Sequence, residues 1–242
     1  MKGVSLNSLE NKPWKSRDAF MAILILVVVI IVFRLVEEQL NITKVLPGAI
    51  EVSIFVLMTY AVIVGIILYF TVFKYKTTIA DLGIKRFKAG RALFLSIVWF
   101  VGLQIVIQAY GRLATWACYL LKVCPPEQVN TKIPDLFGRG YFGFTMAILI
   151  GVIIGPFIEE LFFRGFLYTA FKHTLGVPGA IILSSLIFGF FHTSPWLIFP
   201  TALIGAALAY LYEKGGSLGY PFVLHSLNNV VSIIIVYVMY GR

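Results

Sequence analysis

The chain has 242 residues, of which 60% are hydrophobic and 15% aromatic, with 13% charged. A soluble domain carries roughly 25% charged and about 45–50% apolar residues, so this chain has more apolar surface than one globule can hide. A soluble single-domain enzyme and a disordered chain are excluded, and the bilayer becomes the expected solvent and partner. The formal charge of +9 comes from 20 Lys and Arg against 11 Asp and Glu. These basic residues fall between apolar runs, where they orient spans and meet anionic headgroups. No basic-aromatic surface, zinc-finger spacing or Gly-rich phosphate loop occurs, so nucleic acid is not an expected partner. Cys118 and Cys124 form neither a CxxC motif nor a disulfide framework and read as incidental thiols.

A membrane-spanning helix needs about 20 mostly apolar residues. The first such run, 19–36, holds one charge, Arg34, close enough to its end to snorkel. An 18-residue leader and the lack of a small-x-small site after the run predict an uncleaved anchor. Uncharged runs follow at 52–73, 92–111 and 140–158. Residues 174–212 contain no formal charge, are too long for one helix, and should break at Thr193-Ser194-Pro195. Residues 215–241 close the chain. The expected fold is therefore all-α: a polytopic membrane protein of about seven spans. Its organisation reads as a cytoplasmic tail (1–18), about three amino-terminal helices (19–139) and about four carboxyl-terminal helices (140–242).

Orientation follows from the loops. One side carries Lys2, Lys12, Lys15, Arg17, Lys74, Lys76, Lys85, Arg86, Lys88, Arg91, Lys172 and Lys214; the other carries Lys44, Lys122, Lys132, Arg139 and Arg242. Twelve against five places the amino terminus in the cytoplasm.

Ionisable residues are the informative ones here, because a charge at mid-bilayer costs about 2.5–3.5 kcal/mol on insertion scales. In Glu159-Glu160-Leu161-Phe162-Phe163-Arg164, the two carboxylates point to different sides of a helix. Glu160 and Arg164, four apart, can form an ion pair, which leaves Glu159 aimed elsewhere. Phe188 lies one turn before His192 on the same face. His225 and Asn229, at i and i+4, form a polar strip bordered by Asn228. Such a strip serves either a site or helix-helix packing. A second stripe, Gln104, Gln108 and Arg112, reads as packing glue or the wall of a wet groove.

Glu159 sits 13 residues before Lys172, and His192 sits 15 residues after Val177. At 1.5 Å per residue both lie about 20 Å from the connecting turn, so they can meet at one depth in an antiparallel hairpin. His225 follows Pro221 by four residues and reaches them only if the segment 215–221 dips into the protein.

Glu159-Glu160-x-x-x-Arg164, Phe188-x-x-x-His192 and His225-x-x-x-Asn229, in that order on successive spans, resemble the CAAX-processing and bacteriocin-processing (CPBP, or Abi) intramembrane proteases, which include type II CAAX prenyl endopeptidases. The resemblance covers residues 147–237. It implies a site in a cavity among the carboxyl-terminal four helices, with catalytic residues Glu159, His192, His225 and Asn229. Glu159 would be the general base acting on water, aided by His192. His225 and Asn229 would stabilise the oxyanion, and Glu160 with Arg164 would be a structural pair supported by Phe188. No Ser or Cys is placed as a nucleophile. No obligate metal is expected; the alternative is zinc on Glu159, His192 and His225, whose atoms suit it. The expected activity is endopeptidase cleavage of a membrane-associated peptide by a multi-pass membrane protein, in the cell membrane if the source is a bacterium or archaeon. The CAAX label implies a prenylated substrate, and Phe-rich helices would equally accept another lipidated peptide. Two rivals are a non-catalytic membrane protein, such as a bacteriocin self-immunity factor or scaffold, and a proton-coupled transporter. The missing two-fold repeat disfavours the transporter.

Overall fold

The computed structural model describes residues 12–40, 48–122, 133–192 and 195–240. Lys2, Lys44, Lys132, Arg242, Cys124 and the Thr193-Ser194 part of the expected break lie outside these residues. Among the described residues the chain is helical: α1 (Ser16–Leu40), α2 (Gly48–Leu68), α3 (Ala89–Leu120), α4 (Ile133–Phe137), α5 (Gly140–Ile148), α6 (Gly155–Glu160), α7 (Thr169–Phe190), α8 (Pro195–Gly215) and α9 (Gly219–Tyr240). A π-helical turn extends α2 (Tyr69–Lys74), and two more, Leu149–Ile154 and Leu161–Tyr168, join α5, α6 and α7 without interruption.

Six of these helical runs are long and apolar enough to cross a membrane, one fewer than the seven expected. The difference lies in residues 140–190, where two expected spans fuse into a single stretch of 51 residues. At 1.5 Å per residue that stretch is more than twice the roughly 30 Å of hydrocarbon. It does not run straight. Gly176 adopts φ 65° and ψ −179°, a conformation that side-chain-bearing residues avoid, and Pro178 follows two residues later. The chain folds back at this glycine, so the Phe163 ring meets the Phe188 ring edge-on at 4.9 Å. Residues 159 and 192 each lie four positions beyond this contact, on the side away from the turn.

The segment Leu161–Tyr168 is buried on every side. Apart from Arg164, whose charge is paired, its side chains are apolar or aromatic on every face, as suits a core helix. Here α1 contributes Leu26, α2 contributes Ile63, Ile67 and Phe70, α7 contributes Phe171 and α8 contributes Tyr212 to one cluster around it. Phe20, Leu24 and Ile31 of α1 and Phe94, Ile97 and Ile105 of α3 face outward, where lipid would lie. Cys118 is a buried free thiol.

Four polar segments meet on one face of the bundle. Lys12 pairs with Asp81 at 3.1 Å, Lys74 pairs with Asp18, and Lys172 pairs with Glu213 at 2.8 Å. Ser217 Oγ donates to the Lys85 carbonyl at 2.8 Å. These are the segments that carry the larger set of Lys and Arg, so the grouping used for the orientation argument is a spatial one.

Trp14, just before α1, is fully buried and its Nε1–H donates to Thr169 Oγ1 at 2.8 Å. It wedges the start of the chain against the central segment. Trp14→Ala should lower stability by about 3–5 kcal/mol, the usual cost of emptying so large a site. Thermal unfolding in detergent measures this, with Trp14→Phe giving a smaller drop.

Candidate active site

The site forms where α6 ends. Glu160 is buried completely, and Glu159, the next residue round the helix, keeps 21% of its side chain exposed. Arg164 sits one turn on, in the π-helical segment, and still reaches back: its Nη1 donates to Glu160 Oε1 at 2.9 Å. Its Nη2 donates to the Gly205 carbonyl of α8 at 3.2 Å. Both members of this pair are about 1% exposed, so the desolvation cost is large and the contacts must be good for the pair to persist.

His225 joins the two carboxylates. Its Nδ1 lies 2.7 Å from Glu160 Oε1, and its Nε2 lies 3.7 Å from Glu159 Oε2. An ionised carboxylate only accepts, so Glu160 holds a proton on Nδ1, and Nε2 is the ring atom turned toward Glu159. His192, in the turn after α7, is set the same way: its Nδ1 lies 2.8 Å from the Phe188 carbonyl, which again only accepts.

Phe188 explains its own place in the motif. The Arg164 guanidinium lies 4.5 Å from the centre of its ring, His192 lies against it at 4.7 Å, and His225 meets it edge-on at 5.7 Å. One aromatic ring thus touches the cation and both imidazoles.

Asn229 is one turn beyond His225, and its amide donates to the Gly151 carbonyl at 2.8 Å. Ser226 Oγ donates to the Val152 carbonyl at 2.8 Å. Both acceptors lie in the π-helical segment Leu149–Ile154. Such a segment departs from the regular α-helical hydrogen-bond ladder, and side chains of α9 bind its carbonyls. Asn229 therefore fastens α9 to the helix that carries Glu159, while its second amide hydrogen remains uncommitted among the described residues. Gln104, on α3, donates to Asn228 Oδ1 at 3.3 Å, so that end of the second polar stripe is interhelical packing. Gln108 and Arg112 are exposed.

The expected inward dip of residues 215–221 is replaced by a shorter break. Helix α9 already begins at Gly219, with Pro221 in its first turn where a missing N–H is tolerated. Only 216–218 are irregular, and they are covered: Leu218 N–H donates to the Gly83 carbonyl at 2.9 Å. His225 still reaches the carboxylates, because α9 packs directly against the helix bearing Glu159.

Among the described residues, no group of three or more His, Cys, Asp and Glu comes together as a metal-holding set. Sequence reasoning missed one contributor. Tyr60, on α2, donates its hydroxyl to Glu159 Oε1 at 2.9 Å. A lone Tyr in an apolar run carries no motif, so no spacing rule points to it.

Residues 141–231 match the family described as type II CAAX prenyl endopeptidase Rce1-like. Among curated proteins, the chain is similar to "Putative membrane peptidase YdiL" of Bacillus subtilis (strain 168), 24% identical over 141 residues. That alignment covers 58% of this chain and 56% of the relative, so the chain spans about half the length of that protein. No solved structure matches the chain. The matched segment contains Glu159, Glu160, Arg164, Phe188, His192, His225 and Asn229, and leaves out Tyr60.

Proposed function

Taking the Rce1-like character of residues 141–231 as the premise, we propose that the protein is a multi-pass membrane endopeptidase in which water, activated by Glu159 and His192, cleaves a peptide bond of a membrane-associated substrate. One observation carries the reading: Glu159 Oε2 and His225 Nε2 face each other at 3.7 Å, with His225 anchored from behind by Glu160. The separation is beyond a direct hydrogen bond, so Glu159 Oε2 keeps a free acceptor for a water proton, with His225 Nε2 near enough to receive that proton afterwards.

The proposed chemistry balances without a covalent enzyme intermediate. Glu159 takes one proton from water as the water oxygen bonds to the scissile carbonyl carbon, and the carbonyl electron pair moves onto oxygen. His192 Nε2 accepts a hydrogen bond from the other water hydrogen, which stays on the attacking oxygen, and so orients the nucleophile. The proton taken by Glu159 is shared with His225 Nε2. Once protonated there, the imidazolium donates to the oxyanion beside the uncommitted amide hydrogen of Asn229. Collapse of the tetrahedral species breaks the C–N bond, and the leaving amine takes the proton. Glu160 acts behind this array by holding Nδ1–H in place.

The substrate in this reading is a prenylated or otherwise lipidated peptide, which apolar, Phe-rich helices can admit from the bilayer. The amino terminus faces the cytoplasm, since the twelve-to-five excess of Lys and Arg lies on its side. The zinc alternative would use Glu159, His192 and His225. The proposal is metal-independent hydrolysis, and activity in proteoliposomes should survive exhaustive chelation with no metal found at stoichiometric level. Loss of activity on chelation, restored by zinc, would replace that part of the mechanism. The reading as a whole is tested by incubating the reconstituted protein with a quenched fluorescent peptide ending in a farnesylated CAAX sequence, and by comparing membrane peptidomes with and without Glu159. Glu159-dependent new carboxyl termini are the expected result. Identical peptidomes and an uncut reporter would sink it.

A further inference from the structure

We propose that Tyr60 is a positioning residue for Glu159, so that the site is completed by a helix outside the Rce1-like segment. The inference rests on the reading of Glu159 as the base. Tyr60 Oη donates to Glu159 Oε1 at 2.9 Å, while Oε2 of the same carboxylate faces His225. A carboxylate on a partly exposed side chain can rotate about its last bonds; tying one oxygen to a phenol on a packed helix leaves the other aimed at the reacting water.

The backbone around Tyr60 is shaped for this contact. A Cβ on Gly155 would come within 2.5 Å of Tyr60 Oη and 2.8 Å of the Ile150 carbonyl. Gly155 precedes Glu159 by one turn, so its bare face is the seat in which the hydroxyl rests. The ring itself packs against the core cluster around Leu161–Tyr168, which fixes the donor from its other side. Two observations on different helices, the bond and the space for it, thus converge on one function: holding the carboxylate.

The test uses the full chain in proteoliposomes and the farnesylated CAAX reporter. Tyr60→Phe, which removes only the hydroxyl, should lower kcat about tenfold to a hundredfold with KM unchanged, the range set by one hydrogen bond to a charged group. Gly155→Ala keeps the hydroxyl but denies it its seat, and should give a similar kcat loss with KM unchanged. Adding Tyr60→Phe to Glu159→Gln should slow the residual rate no further, because the phenol acts through that carboxylate alone. Full kcat in Tyr60→Phe, a loss confined to KM, or an equal further loss in the Glu159→Gln background would each overturn the proposal. If Glu159→Gln itself cleaves at the wild-type rate, the underlying reading fails first and Tyr60 falls with it.

Discussion

Glu159→Gln is expected to reduce cleavage of the farnesylated reporter by at least about a hundredfold, with the protein still folded and inserted. General-base catalysis contributes about 10²–10⁴-fold, and an amide cannot take the water proton. The substitution is nearly isosteric. Tyr60 can still donate to the amide oxygen at its present 2.9 Å position, and the direct Glu160–Arg164 contact is made without Glu159. Stability should therefore change little while kcat collapses. His192→Ala should show the same separation with a smaller loss, since His192 orients the water and Glu159 takes the proton. A scaffold or immunity factor would keep its phenotype in both variants.

The second large effect is on stability. Arg164→Met should destabilise the fold by about 3–5 kcal/mol, because it strands a buried carboxylate that is fully desolvated. Arg164 also donates to the Gly205 carbonyl and lies over Phe188, so its loss unpins α8 and the aromatic seat of both histidines. Glu160→Leu alone leaves the guanidinium unpaired and should cost a similar amount. Combining the two replaces the ion pair by apolar side chains, which is commonly neutral or stabilising. The double variant should therefore recover thermal stability relative to either single one. Its activity should stay low, because His225 Nδ1 then lacks the carboxylate that holds it at 2.7 Å. Recovery of both together would show that Glu160 serves the ion pair only.

Much of this arrangement is legible in the amino-acid order, for reasons that differ by residue. Glu159, Glu160 and Arg164 stand out because charge inside an apolar run is costly, and the i, i+4 spacing of the last two survives even in a π-helical turn. That residues 159 and 192 stand at similar distances from the turn is legible in the sequence, and Gly176 supplies that turn. The junctions between helices are less legible: hydropathy does not reveal that residues 140–190 stay helical on both sides of a single reversal at Gly176. The π-helical turns are invisible to a 3.6-residue reading, so the packing role of Asn229 and Ser226 against Gly151 and Val152 emerges only in three dimensions. Tyr60 is hidden for a further reason. Its partner is 99 residues away, and phenols are ordinary in membrane helices.

Single-turnover cleavage of the reporter peptide in heavy-oxygen water examines the nucleophile itself. Hydrolysis by a water held between Glu159, His192 and His225 puts one solvent oxygen into the new carboxyl group during the first turnover, leaving the protein unlabelled. A first-turnover product carrying unlabelled oxygen, with the heavy isotope appearing in an enzyme carboxylate, would mean covalent attack by the chain and would contradict the direct-water mechanism.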